Sequence, residues 1–383
     1  MDLKNFDDIR PYSDEEIVRV LEQLLANEHF CTFAEKTIGA QEFNTLKQQY
    51  KQIDTIQKFQ LLAIKPFLDF LVKHKASSFS TCGIEHAAAE NGCLYMSNHR
   101  DIVIDVALLD KALMEADCQT VEIGIGDNLL IYPWIETLVR INRAFIVRRG
   151  GKGRELLMQS KHLSEYIHYA IAQEKHSAWI AQREGRAKDS NDRTQESVLK
   201  MLAMGSDKPF ADSLKELNIH PLAISYEYDP CDYLKAKEAQ QRRDNPDFKK
   251  SQADDLLNMQ TGIMGFKGRI TYVCADNINS AIDNIATDIP NRNEQATAIA
   301  RHIDKQIHAN YNIYPINYIA LDILSGTKIY AKYYTEKEHS TFAEYLRQQI
   351  NKIDLLNKDE QFLREYLLKI YANPLINHLE ATK

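Results

Sequence analysis

The chain has 383 residues, of which 44% are hydrophobic and 26% charged, and its net charge is −7. This length allows one large or two modest domains with a buried core, and the negative charge argues against a general nucleic-acid-binding protein. No apolar run reaches the roughly 18 residues of a membrane-spanning helix. Residues 1–16 lack the basic start and apolar core of a signal peptide, and the six cysteines show no paired spacing. We therefore expect a cytoplasmic protein, soluble or peripheral on the membrane, with reduced thiols.

Residues 1–80 are predicted to form an N-terminal helical region. Ser13 and Glu16 have the spacing of a capping box, and the apolar residues that follow recur at helical spacing. A second apolar set, within residues 59–72, favours a packed core helix. The alternative is a helix that rests in the membrane interface with its lysines toward lipid headgroups.

Residues 81–275 are predicted to form an α/β domain, because short apolar runs alternate there with helical segments. The predicted strands lie near residues 93–96, 121–123, 144–147, 178–181, 222–226 and 270–274. This alternation predicts a mostly parallel sheet flanked by helices. The polar stretch 229–255 predicts a solvated helix or an excursion from the sheet. Residues 276–383 predict a C-terminal region that is mostly helical.

A polar cluster, Ser-Asn-His-Arg-Asp at 97–101, follows the first of these strands and precedes a helix. Open α/β sheets bind ligands at the carboxyl ends of their strands. His99 brings an imidazole, a side chain that can serve as a general base, and Asp105 could orient its ring if His99 lies in the turn. Asp101 is the other candidate partner. The alternative interpretation is a helix cap formed by Asp101 beside a surface histidine.

A basic segment follows the predicted strand 144–147. Residues 140–154 contain six cations and no acid. Arg148 and Arg149 lead into a glycine-rich turn that carries Lys152. Guanidinium groups bind phosphate bidentately, so this turn suits a phosphate, although a solvated basic loop is the alternative. Adjacent strand residues face opposite ways, so only one of the two arginines is expected to reach the phosphate.

Two further blocks also occur at strand ends. The predicted strand 178–181 runs into Glu184, Gly185 and Arg186, and a proline opens the apolar stretch Ile219–Tyr226.

The four blocks resemble those of the glycerolipid acyltransferase superfamily, in the same order, within residues 93–226. The family has four residues between its histidine and aspartate, whereas five separate His99 from Asp105. The family's second block has its arginine directly after the apolar run, which favours Arg148 as the phosphate contact. In its third block the arginine comes one residue later than Arg186, so Lys188 and Arg183 are alternatives for that role.

The resemblance implies transfer of a fatty acyl group from acyl-CoA or acyl carrier protein to a hydroxyl of glycerol-3-phosphate or of a lysophospholipid such as 1-acylglycerol-3-phosphate. The reaction would belong to phospholipid biosynthesis at the inner face of the membrane, with no metal or cofactor. His99 would be the general base and Asp105 its orienting carboxylate. Backbone N–H groups near the helix start would stabilise the oxyanion. The expected substrate-binding residues are Arg100, Arg148, Arg149, Lys152, Glu184, Gly185 and Arg186.

The alternative is a catalytically inactive, phospholipid-binding relative of the same fold. Other enzyme classes are disfavoured because the chain has neither the Gly-x-Ser-x-Gly of serine hydrolases nor the remaining motifs of a protein kinase.

Overall fold

The computed structural model describes residues 3–90 and 92–383. Met1 and Asp2 of the predicted region 1–80, and Asn91 of the predicted domain 81–275, lie outside the described residues. The structure confirms the α/β class, with a mostly parallel sheet and helical regions at both ends.

The sheet has seven strands in the order β1-β7-β6-β2-β5-β3-β4. Their bounds are β1 Ser78–Cys82, β2 Leu94–Ser97, β3 Glu122–Gly126, β4 Ala144–Val147, β5 Ala178–Ala181, β6 Ile219–Tyr226 and β7 Arg269–Cys274. Strands β6 and β7 pair antiparallel, and the other neighbours pair parallel. The sequence analysis missed β1, which spans the predicted boundary at residue 80. It is a half-exposed edge strand, so no continuous apolar run marks it.

The described residues form eighteen α-helices. Their bounds are α1 Ile17–Leu25, α2 Glu28–Ile38, α3 Ala40–Gln49, α4 Ile56–Phe59, α5 Lys65–Lys75, α6 Ile84–Ala88, α7 Ile104–Glu115, α8 Pro133–Ile141, α9 Arg154–His168, α10 Glu196–Leu202, α11 Phe210–Lys215, α12 Asp232–Asp244, α13 Gln252–Met264, α14 Asn279–Asp288, α15 Arg292–Ala309, α16 Pro315–Ser325, α17 Glu336–Asn351 and α18 Glu360–Ala381. Two π-helical segments extend α4 and α9, at Gln60–Ile64 and Tyr169–Gln173. Short 3-10 turns lie at Leu3–Phe6, Asp14–Glu16, Tyr50–Gln52, Asp127–Leu129, Ala203–Gly205 and Ala331–Tyr333.

Helices cover both faces of the sheet. Helices α5, α6 and α7 pack on one face around Tyr95 and Leu109, and α9, α10, α11, α14 and α15 pack on the other around Met96 and Phe145. The central strand β2 is buried along its whole length. This agrees with the predicted arrangement, in which a parallel strand is apolar on both faces.

The regions at the two ends of the chain build their own cores. Helices α1 to α4 enclose an apolar cluster that also includes Ile141 of α8. Helices α16, α17 and α18 pack with α12, whereas α14 and α15 belong to the layer on the sheet. Within residues 59–72, Phe59 and Leu68 are buried and Leu62 and Phe70 are exposed. This segment is therefore a core helix with one apolar edge outside.

The polar stretch 229–255 is an excursion between β6 and β7 that contains α12 and the start of α13. The prediction of a solvated helix is wrong for α12. Asp232 is buried and accepts hydrogen bonds from Tyr345 Oη and Tyr371 Oη, both at 2.7 Å. Lys235 is also buried and pairs with Asp229. The polar side chains of α12 are thus satisfied inside the protein, which a hydrophobicity pattern does not reveal.

None of the helices in the described ranges has the length and apolarity needed to cross a bilayer.

Candidate active site

The site forms where β2, β5 and β6 lie side by side. Ser97 at the end of β2 pairs with Ala181 at the end of β5, and both strands run parallel. Asn98 fixes the turn after β2. Its side-chain amide bonds to the backbone of β6, as a further residue of β2 would do with its own backbone. Its Nδ2 donates to Ile224 O at 2.9 Å, and its Oδ1 accepts from Ile224 N at 2.8 Å. The next residue, His99, is thereby held at the carboxyl edge of the sheet.

His99 and Asp105 are brought together by this turn. His99 precedes α7, and Asp105 is the second residue of that helix. His99 Nδ1 lies 2.8 Å from Asp105 Oδ2. The residue that exceeds the family spacing is absorbed in the turn, as the sequence predicted.

Three further hydrogen bonds hold the Asp105 carboxylate. Oδ2 accepts from the backbone N–H of Arg100 at 2.6 Å and of Asp101 at 3.0 Å. Oδ1 accepts from Tyr226 Oη at 2.9 Å. Since two N–H groups already donate to Oδ2, this oxygen acts as an acceptor toward His99 as well. The ring proton of His99 therefore sits on Nδ1, which leaves Nε2 as the unprotonated ring nitrogen.

Asp101 does not contact His99 and instead caps α7. Its Oδ1 accepts from Val103 N and Ile104 N, both at 2.9 Å. Burial, together with the charge of Asp105, raises the pKa of Asp101. Helix α13 packs against this carboxyl at Gly262, where any side chain would overlap Asp101 Oδ2. Asp101 thus matches the helix-cap interpretation.

The backbone N–H groups at the start of α7, which were predicted to stabilise the oxyanion, already donate to aspartates. The N–H groups of Arg100 and Asp101 donate to Asp105, and those of Val103 and Ile104 donate to Asp101. The prediction that N–H groups at the helix start hold the oxyanion is therefore wrong for these four, because each is already engaged.

Trp179 of β5 forms a wall beside the histidine. Its ring meets that of His99 edge to face, with centroids 5.6 Å apart. The indole Nε1–H donates to Ser97 Oγ at 3.0 Å, so the indole is fixed. Trp179 therefore limits the positions that the imidazole can take.

The two adjacent arginines of the basic turn diverge. Arg148 Nη2 donates to the backbone oxygen of Asp8 at 3.1 Å, in the N-terminal segment. The side chain of Arg149 lies over Gly126 at the end of β3, where a Cβ would come within 2.6 Å of its Nε. Its Nη1 is 3.8 Å from Glu184 Oε1. The geometry therefore favours Arg149 over Arg148 as the cation near the strand ends.

The rest of the basic segment does not gather into one cluster. Arg140 donates to the backbone oxygens of Asp7 and Arg10, which lie toward the amino ends of β3 and β4. Lys152 is exposed in the glycine-rich turn. Gly153 has φ 55° and ψ −118°, a conformation that suits glycine.

Arg186, after β5, is buried beside the site. Its Nη2 donates to Asn258 of α13 at 3.2 Å, and its buried Nη1 has no hydrogen-bond partner among the described residues. Gly185 adopts φ 67°, so Glu184 and Arg186 flank a left-handed turn. Lys188 pairs with Glu238 at 2.8 Å, and burial lowers the pKa of Lys188 to about 8. Lys188 is thus occupied, whereas Arg186 keeps a free donor.

The predicted residue Arg100 lies inside the protein. Its Nη1 is 3.6 Å from Asp192 Oδ2, and both side chains are buried. Although burial opposes the charge of Arg100, the carboxylates of Asp192 and Asp229 raise its pKa.

Several residues around the His99–Asp105 dyad were not predicted from the sequence. Tyr226 and Tyr272 hold Asp105, since Tyr272 Oη donates to the Asp105 carbonyl at 2.8 Å. Asp192 and Trp179 were not singled out either. These residues lie far from His99 along the chain, and a single tyrosine or aspartate in a strand or loop gives no local signal.

A separate cavity of about 740 Å³ opens at the amino ends of the strands. It is lined in part by Glu122, Tyr166 and His176. Tyr166 Oη and His176 Nδ1 both bind the Glu122 carboxylate, at 2.5 and 2.9 Å. Because these groups satisfy one another, we place the candidate active site at the carboxyl edge.

A comparison with protein families matches this part of the chain. The family described as Acyltransferase, which is the glycerolipid acyltransferase family, matches residues 79–221. The match contains the His99–Asp105 dyad, the basic turn and the turn after β5. No curated protein matches the chain. This match confirms the predicted resemblance and supports an acyltransferase.

Proposed function

We propose, on the premise that residues 79–221 form a domain of the glycerolipid acyltransferase family, that the protein acylates a glycerophosphate. The acceptor is glycerol-3-phosphate or a lysophospholipid such as 1-acylglycerol-3-phosphate. The fatty acyl donor is a thioester, either acyl-CoA or acyl carrier protein, and the reaction serves phospholipid biosynthesis. The observation that carries the proposal is the 2.8 Å contact between His99 Nδ1 and Asp105 at the carboxyl edge of the sheet.

His99 acts as the general base of this reaction. Its Nε2 takes the proton of the acceptor hydroxyl while the hydroxyl oxygen attacks the thioester carbonyl carbon. The tetrahedral intermediate then collapses, the carbon–sulfur bond breaks, and the thiolate leaves with the proton carried by His99. General-base catalysis of this kind contributes about 10²–10⁴-fold in rate. Asp105 keeps the ring in one tautomer and stabilises the imidazolium.

Arg149 and Arg186 are the proposed contacts for the acceptor phosphate. Arg186 supports this role with its unpartnered Nη1, and Arg149 with its place over the end of β3. Two guanidinium groups suit a dianion, since each binds it bidentately. Lys152 in the exposed turn supplies a third positive charge. Holding the phosphate fixes the distance between the acceptor hydroxyl and His99, which is catalysis by orientation.

Peripheral membrane contact is proposed at the start of α9. Leu156, Leu157 and Met158 are exposed there, directly after the cations Lys152 and Arg154. Exposed apolar side chains beside basic ones suit an anionic lipid surface. This surface follows the turn that carries Arg149 along the chain, at the end of β4.

A radiolabelled acyl-transfer assay tests the proposal. Both donor types are tried with glycerol-3-phosphate and 1-acylglycerol-3-phosphate, using the unmodified protein and His99→Ala. The matched control is His162→Ala, which also removes a histidine paired with an aspartate, His162 Nε2 lying 3.0 Å from Asp8 Oδ1.

We expect transfer by the unmodified protein and the control, and none by folded His99→Ala. Full activity of His99→Ala would refute the mechanism. Binding of phospholipid without turnover by the unmodified protein would instead identify an inactive lipid-binding relative.

A further inference from the structure

A group of buried polar atoms near His99 lacks hydrogen-bond partners within the described residues. It comprises Arg100 Nε, both carboxylate oxygens of Asp192, both amide atoms of Gln182, and Tyr311 Oη. Asp192 and Gln182 are 0% exposed, and Arg100 and Tyr311 are 6% exposed. Leaving a buried polar group unpaired costs about 1–3 kcal/mol. Several such groups together indicate a place for a bound molecule.

Arg100, Asp192 and Tyr311 lie near one another, and Gln182 follows β5 beside the end of β2. Arg100 Nη1 lies 3.6 Å from Asp192 Oδ2. Burial raises the pKa of Asp192, against the nearby positive charges of Arg100, Lys235 and Arg183 and the influence of His99. Burial and the charge of Asp192 raise the pKa of Tyr311. The backbone N–H of Gln182 donates at 2.8 Å to the carbonyl oxygen of Ser97, which is two residues before His99.

Asp192 is held there by helices outside the family match. Thr194 N and Thr194 Oγ1 both donate to Asp304 Oδ1 of α15, each at 2.7 Å. His308 of α15 bonds to Asp192 O at 3.0 Å, and Asn373 of α18 donates to Asp189 O at 2.8 Å. The loop is thus anchored at Asp189, Asp192 and Thr194, while the Asp192 side chain has an ion pair with Arg100 and no hydrogen bond among the described residues. Its carboxylate oxygens are therefore held in place and can still accept hydrogen bonds.

The hydrogen-bonding properties of these unpaired atoms indicate what kind of ligand they can bind. A carboxylate repels a phosphate and offers nothing to a thioester oxygen, because it only accepts hydrogen bonds. A neutral hydroxyl can bond both to the acceptor Asp192 and to the donors of the group. It can donate to Asp192 and accept from Arg100, Gln182 or Tyr311.

We infer that Arg100, Gln182, Asp192 and Tyr311 bind a second, non-reacting hydroxyl of the acceptor, so that the protein selects a diol phosphate. Glycerol-3-phosphate has such a hydroxyl, whereas 1-acylglycerol-3-phosphate has only the one that reacts. This inference rests on the proposed function for the identity of the bound molecule as an acceptor.

Calorimetry without an acyl donor tests the inference. The probes are glycerol-3-phosphate and 3-hydroxypropyl phosphate, which lacks the second hydroxyl. We expect the unmodified protein to bind glycerol-3-phosphate at least about tenfold more tightly, as for loss of a hydrogen bond to a charged group. Asp192→Asn should bring this ratio close to one without weakening 3-hydroxypropyl phosphate, and Tyr311→Phe should lower it in the same direction.

The matched control is Asp110→Asn, which removes another buried carboxyl, bonded to Val121 N and remote from His99. Its ratio should equal that of the unmodified protein. Equal affinities for the two probes, no binding of either, or a ratio unchanged in both Asp192→Asn and Tyr311→Phe would overturn the inference. Because no donor is present, the result stands apart from acyl transfer, whose absence would refute only the proposed function.

Discussion

Replacing Asp105 by Asn tests how the carboxylate acts on His99. An asparagine amide can place its oxygen where Oδ2 lies, accepting from Arg100 N, Asp101 N and His99 Nδ1. Its NH₂ then faces Tyr226 Oη, which can accept as well as donate. The ring of His99 therefore keeps its tautomer, and only the negative charge is lost.

The size of the loss follows from that charge. A charge-assisted hydrogen bond is about twice as strong as a neutral one. Two unit charges about 4 Å apart interact by about 4 kcal/mol at an effective dielectric constant of 20. Asp105 is 1% exposed, so solvent screens this attraction little. We expect a loss of about 3–4 kcal/mol in transition-state stability, or roughly 10²–10³-fold in kcat.

The assay is kcat for acyl transfer by Asp105→Asn, Tyr226→Phe and the double variant. Tyr226→Phe keeps the charge and removes one hydrogen bond to a charged group, so it should lose about tenfold in kcat, less than Asp105→Asn. The double variant removes the acceptor for the asparagine NH₂, frees the amide to flip and should lose more than the product of the single effects. Purely multiplicative effects would refute the role given to Tyr226, and an unaffected Asp105→Asn would refute the dyad.

Three further predictions concern other parts of the molecule. Arg149→Ala should raise the acceptor KM at least about tenfold and leave the donor KM unchanged, while Arg148→Ala should change the acceptor KM less; the reverse order would invert our assignment. Leu157→Asp should reduce pelleting with anionic vesicles relative to Leu356→Asp, an exposed leucine elsewhere, and equal pelleting would exclude this surface. Burial raises the pKa of Asp110 to about 8, so the native state keeps a proton that the unfolded chain releases above about pH 4, and stability falls as the pH rises through this window. Asp110→Asn should therefore gain at least about 1.4 kcal/mol relative to the unmodified protein between about pH 5 and pH 8 in urea denaturation, and a constant difference would refute the buried proton.

Much of the fold could be predicted because buried parallel strands are continuous apolar runs. Strands β4 and β5 begin and end at the predicted residues. The edge strand β1 could not be found, because the exposed Ser80 and the half-buried Thr81 interrupt its apolar pattern. The burial of α12 was also beyond reach, since Lys235 reads as a surface residue until its partner Asp229 is in place.

The site was predictable where its residues are neighbours in the chain. His99 and Asp105 lie within one turn and its helix, so their spacing suffices to bring them together. Asp192 and Tyr311 are 93 and 212 positions beyond His99 in the sequence, and only the packing of α15 and α18 places them beside Arg100. The choice between Arg148 and Arg149 likewise depended on a long-range contact, the N-terminal segment at Asp8.

The position of Asp105 depends on tyrosines from strands near the β1 edge of the sheet. Tyr226 and Tyr272 come from β6 and β7, and β7 is separated from solvent by the edge strand β1 alone. Strands near an edge open by local fluctuations at lower free energy than the centre of a sheet. Opening of β1 and β7 would release Tyr272 from Asp105 while β2 and His99 remain folded. Gentle warming or dilute urea would then reduce activity before the whole molecule unfolds. Under the same conditions, amide hydrogen exchange in β7 should become faster.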